Sequence, residues 1–198
     1  QLSGRAPDVE LALGRTAPVD YGMRGVLYDL TQFEDYPEVI GRFQQNAVTP
    51  YTYKGGVYGL PVTQSFLMMF VRTDILEELG LEFPETWDEL LLTAKILAMN
   101  NMQVGLSESL NLSDPTNILS MLAVQNGVSF YTDDHSASTF SSEEMQGVVT
   151  TWTDFYTKYN FPKEYNFFNR FKIGLVPIAI RDYTAYATLT AAAREISG

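Results

Sequence analysis

The chain has 198 residues, 45% of them hydrophobic, which suits one domain or parts of two with a real core. Its formal net charge is -11, from 24 acidic and 13 basic residues, and the basic residues are scattered singly from Arg5, Arg15, Arg24 and Arg42 onward. That leaves no positive footprint for nucleic acid and makes an anionic membrane surface a poor partner. With no cysteine and one histidine, disulfides, thiol catalysis and Cys-based metal sites are excluded, and zinc clusters or a Ser/His/Asp triad nearly so. No metal and no cofactor is expected, and His135 reads as a loop residue in the polar run 132–136.

In chain order, Pro7-Asp8 precedes Val9, Leu11 and Leu13, whose alternation predicts a strand. A loop over Gly14 to Tyr21 follows, then short helical segments near Asp29 to Pro37 and at Val39, Ile40 and Phe43. Tyr53 to Tyr58 reads as a hairpin around Gly55-Gly56. Pro61 marks a break, and Phe66 to Val71 predicts an apolar strand buried on both faces. A helix starts at Thr73-Asp74 and stops at Gly80. The clearest helix runs from Pro84 to Asn100, with Thr86 and Glu89 spaced as a capping box. Val104 and Leu106 predict a short strand, Asp114-Pro115 a helix start with Gly127 as its end, and Phe130 to Phe140 a small hairpin. Ser141 with Glu144 reads as a second capping box, opening a helix with Met145, Val148, Val149, Trp152, Phe155 and Tyr156 at helical spacing. Val176 to Ile180 predicts a strand, and Asp182 begins an alanine-rich helix.

Interleaved strands and helices of this size mean an α/β fold. The expected core comprises Val9, Leu11, Phe66, Met68, Phe70, Trp87, Leu90, Leu97, Leu122, Val148, Trp152, Phe155 and Ile178. No segment reads as a signal peptide or a membrane span. The chain lacks an initiator Met and starts and stops in mid-pattern, so both ends are expected to be cut.

No dinucleotide, phosphate-loop, zinc-protease or serine-hydrolase motif occurs. The adjacent pairs Glu77-Glu78, Asp133-Asp134 and Glu143-Glu144 read as solvated acidic faces, because neighbours on a helix do not face each other. In α/β folds ligands bind at strand ends. The residues expected there are Arg15 and Thr16 after the first strand, Gln64 before the Phe66 strand, Glu108 and Ser109 after Leu106, and Arg181, Asp182 and Tyr183 after Ile180. Together they offer hydroxyl-bonding side chains and an aromatic face for a sugar ring. Two other readings stand beside a sugar-binding one. A carbohydrate hydrolase would use a pair among Glu108, Asp114 and Asp182, and a structural or adhesion fragment would bind no small ligand.

Several stretches resemble the type 1 extracellular solute-binding proteins of bacterial carbohydrate ABC importers. They are Gly4-Arg5-Ala6-Pro7-Asp8-Val9, Gly56-Val57-Tyr58-Gly59-Leu60-Pro61, Phe70 to Leu76, and above all Pro84-Glu85-Thr86-Trp87-Asp88-Glu89-Leu90. Val71 stands where that family has tyrosine. Gly14-Arg15-Thr16, Gly22 to Gly25, Asn169-Arg170-Phe171 and Asp182-Tyr183-Thr184 resemble the large Firmicute sugar-binding subgroup, with Leu175-Val176 where Glu-Met is usual. The resemblance implies a two-lobed type II periplasmic-binding-protein-like fold, with residues 1–62 an incomplete lobe one and 63–198 most of lobe two. It implies no enzyme but a capture subunit, with a sugar or oligosaccharide between the lobes and the importer's membrane subunits as partners. The protein would be an extracellular, lipid-anchored monomer. It also places an aromatic residue at Tyr183 against the ligand and a hinge near Pro61.

Overall fold

The computed structural model describes residues 7–11 and 13–197, with side chains through residue 191. Gly4 to Ala6 of the first resembling stretch lie outside the described residues. The chain divides into two compact units, residues 1–64 and 65–198.

The first unit consists of short pieces. Helix α1 covers Ala17–Met23, α2 Tyr36–Ile40 and α3 Gln45–Val48; 3-10 turns cover Leu30–Gln32 and Thr49–Tyr51. Strands β1 (Thr52–Tyr53) and β2 (Gly56–Val57) pair antiparallel. Their two-residue loop has Lys54 at φ 47° and Gly55 at φ 84°, the doubly left-handed turn whose twist suits a hairpin. Asp29 ties this unit together: its carboxylate accepts from the Thr31 amide and hydroxyl and from the Val57 amide, 28 residues away. Two expectations fail here. Val9 and Leu11 are 76% and 78% exposed and lie in no strand, because no described residue supplies a ladder or a face to cover them. The expected loop at Gly14 to Tyr21 is in part helix α1, started by Pro18 in its first turn.

The second unit is built on a three-stranded sheet. Strands β3 (Leu67–Val71), β5 (Ile178–Asp182) and β4 (Val104–Leu106) lie in the order β3-β5-β4, β5 antiparallel to β3 and parallel to β4. Alternation along β5 serves two faces: Ile178 and Ile180 enter one core cluster, Ala179 the other. The larger cluster joins Leu76 of α4 (Thr73–Glu78), Leu90, Ala94 and Leu97 of α5 (Trp87–Met99), Ile118 and Leu122 of α6 (Ile118–Gln125), and Met145, Val148 and Phe155 of α7 (Glu143–Thr157). The smaller one holds Phe70, Phe167 and Phe171 of α8 (Phe167–Lys172), and Ala185 of α9 (Ala185–Ser197). Trp87 and Trp152 are half-buried, and Trp87 stacks on Phe155 at 5.1 Å between ring centroids.

The Thr86/Glu89 capping box forms in full, with Thr86 accepting from the Glu89 amide and the Glu89 carboxylate from the Thr86 amide. Gly80 and Gly127 take the left-handed conformation that ends a helix. Four other helix or strand expectations shift. Helix α6 is capped by Asn117, not Asp114, and α7 by Ser142, not Ser141. Strand β3 is not buried on both faces: Phe66 and Met68 are exposed, since β3 is an edge strand and the α8–α9 layer covers only its Phe70 end. The Phe130–Phe140 hairpin is reduced to one bridge, Tyr131 to Ser138.

Candidate functional site

Parallel pairing of Leu106 with Ile180 brings the carboxyl ends of β4 and β5 to one edge of the sheet. Because β3 runs antiparallel, its start at Leu67 lies at the same edge, and the carbonyl of the preceding Phe66 accepts from the Tyr183 amide at 3.0 Å. The structure therefore gathers Glu108, Ser109, Asp182 and Tyr183 along one rim of the second unit. Arg15, Thr16 and Gln64 belong to the first unit. Thr16 precedes α1 without a side-chain capping bond. Arg181 and Asp182 are the last two residues of β5, not residues following it, as the pairing of Leu67 with Asp182 extends the strand.

Tyr183 stacks on Phe66 with centroids 4.6 Å apart and planes 7° from parallel. The pair is a two-ring platform, with Tyr183 half-buried and Phe66 47% exposed. Asp182 accepts from the Thr184 amide at 2.8 Å. Burial pushes its carboxyl up, but the hydrogen bonds from Thr184 and Ser65 outweigh burial, and the net pKa falls below the usual carboxylate value. Asp114, on the loop after β4, opposes this fall by like charge. Asp114 accepts from the Ser109 hydroxyl at 3.0 Å and from the Thr116 amide and hydroxyl, both at 2.8 Å. A hydrolytic general acid needs a raised pKa, and Asp182 moves the other way.

Glu108 accepts from the Tyr165 amide at 2.8 Å and lies 3.5 Å from Arg181 Nη1. Tyr165, 57 residues further along, donates its hydroxyl to the Leu106 carbonyl at 3.2 Å. Desolvation is the main reason its pKa rises to about 12. Gly105 is what admits this ring, since a Cβ there would collide with the Tyr165 hydroxyl and with Val176. Tyr156 of α7 completes the group; burial raises its pKa, and the Glu108 charge adds to the rise. Sequence reasoning missed Phe66, Tyr156 and Tyr165 as rim residues. The only local signal was the glycine inside β4, which marks a close approach without naming the partner. Among the described residues no group of three or more His, Cys, Asp or Glu could hold a metal ion, and no helix is long and apolar enough to cross a membrane. A shallow depression of about 450 Å³ lies between Glu82, Phe83 and Leu92, away from this edge.

Ligands of α/β folds bind at strand ends, and this rim offers polar and aromatic side chains there. The family model described as "Bacterial extracellular solute-binding protein" matches residues 1–193, and the chain belongs to that family. A Brucella abortus protein named as a binding protein is 32% identical over 89 residues, 44% of this chain and 21% of that protein. An ABC transporter solute-binding protein from Thermotoga lettingae, solved with α-D-tagatose, is 26% identical, with a TM-score of 0.67 over 90% of this chain and 48% of that one. The Listeria monocytogenes ABC substrate-binding protein solved with cycloalternan is 24% identical, with a TM-score of 0.65 over 86% of this chain and 46% of that one. The chain thus spans about a fifth of the curated relatives and under half of the solved structures.

Proposed function

We propose that this protein is the capture subunit of a bacterial ABC importer and that its ligand is a sugar or oligosaccharide. The observation that carries the reading is the rim: a stacked Phe66–Tyr183 platform beside Glu108, Ser109 and Asp182, at the strand ends of a fold shared with sugar-bound solute-binding proteins. Aromatic faces suit the C–H side of a pyranose, while carboxylates and hydroxyls suit its O–H groups. On this reading the first unit belongs to lobe one and the second to lobe two. Arg15, Thr16 and Gln64 are further ligand contacts on this reading, with a hinge near Pro61. The partners are the importer's membrane subunits. The protein works outside the cell as a monomer held by a lipid anchor, which metabolic labelling with a radioactive fatty acid would detect.

The test is calorimetric titration of the intact protein with a panel of mono- and oligosaccharides. At least one sugar should release heat and raise the melting temperature, since a ligand at a hundred times its Kd stabilises by about 2.7 kcal/mol. Silence across the panel in both measurements would remove the sugar reading.

A further inference from the structure

The charges along this edge bear on which sugars it takes, an inference that rests on the sugar-binding reading above. Arg181 is the cation of the rim, and the protein itself answers it. Its guanidinium lies across the Tyr165 and Phe167 rings, 5.7 and 5.4 Å from their centroids, and 3.5 Å from the Glu108 carboxylate. The Nη1 atom is buried and has no hydrogen-bond partner among the described residues, so one prong of the fork faces the protein and not the rim. Tyr165 sets this arrangement from both ends: its amide fixes Glu108, its ring bears on Arg181, and its hydroxyl is anchored on β4 above Gly105. Two more carboxylates, Asp114 and Asp182, stand at the same edge, and hydrogen bonds keep Asp182 ionised.

Proteins bind a sugar carboxylate best with a free, bidentate arginine fork. Here one prong of the fork is buried, the guanidinium is ion-paired with Glu108, and an incoming carboxylate would lose its water beside two like charges. We infer that this edge selects for uncharged sugars against their uronate counterparts, with Glu108 withholding Arg181 from the ligand and Tyr165 as the positioning residue that keeps it withheld.

Matched pairs test this on the intact protein by calorimetry: glucose with glucuronate, galactose with galacturonate, and the corresponding disaccharides. The neutral member of any pair that binds should be favoured by about tenfold or more, as expected for an uncompensated like-charge approach. Glu108→Gln should free Arg181 and narrow that preference at least threefold, whatever it does to neutral-sugar affinity. Asp182→Asn, which leaves the Arg181 pair intact, should narrow it less. A uronate bound as tightly as its neutral partner, or a preference unmoved by Glu108→Gln in a variant that still binds, would overturn the inference and leave the sugar reading standing. If no sugar of either kind binds, the sugar reading falls and takes the inference with it.

Discussion

The two units are made from similar proportions of apolar residues but hold together differently. In the second, a three-stranded sheet carries a core cluster on each face of β5, and Leu97, Ile178 and Phe155 are fully buried. In the first, the only sheet among the described residues is a hairpin with two-residue strands, and Val9, Leu11, Val26, Tyr28 and Phe33 are all exposed. Its order comes from local devices: the Lys54-Gly55 turn, the Asp29 hydrogen bonds and the Gly22 contact with the Tyr58 ring. Apolar content makes a core only when elements distant in sequence bring two apolar faces together. Strand β5 does so for the second unit, pairing with both β3 and β4.

The largest break in this contrast is core truncation. Phe155→Ala should cost about 3–5 kcal/mol in chemical denaturation, whereas Leu11→Ala should stay within about 0.5 kcal/mol. Equal effects would mean that Leu11 is buried in the folded protein. Next come the glycines at close approaches. Gly105→Ala drives a Cβ into the hydrogen-bonded Tyr165 and should cost about 1–3 kcal/mol. Gly22→Ala drives a Cβ into the root of the Tyr58 ring and should cost a similar amount.

Capping gives a smaller effect. Thr86→Ala removes the box that starts α5 and should cost about 1 kcal/mol. The finest contrast is in acid. Hydrogen bonds, first from the Thr31 side chain, hold Asp29 below the usual carboxylate pKa, and those from Thr132 and Ser136 bring Asp134 down to about 2. A depressed folded-state pKa gives stability that is present above the unfolded value and lost as pH falls through the folded one. The side-chain carboxyl carbon signal of Asp134 should therefore hold as pH drops below 3.8 and change near 2. A midpoint at the model-peptide value would show that the Thr132 and Ser136 bonds do not form.

What was legible in the sequence follows the same division. Signals confined to a few residues were readable: the Thr86/Glu89 box, the 53–58 hairpin and the glycine stops at Gly80 and Gly127. Cap identity was ambiguous where candidates lie within a few residues of each other. Asp114 is occupied by Thr116 and Ser109, so Asn117 takes the cap, and Ser142 takes it from Ser141. The burial of β3 depended on sheet order, which its apolar run does not encode. At the site, the strand-end rule reached Glu108, Ser109, Asp182 and Tyr183. It missed Tyr165 and Phe66, whose roles arise from contacts across 57 residues and from pairing at the sheet edge.

Tyr183 carries the most direct test of the ring-platform site. Its ring is half-buried on Phe66 at the rim, outside both core clusters. Tyr183→Ala in the intact protein, titrated with whichever sugar binds best, should weaken affinity by about 1–3 kcal/mol, the range of an aromatic anchor at an interface. The melting temperature without ligand should barely move. Unchanged affinity together with a large loss of stability in the absence of ligand would make Tyr183 a core residue and contradict the site.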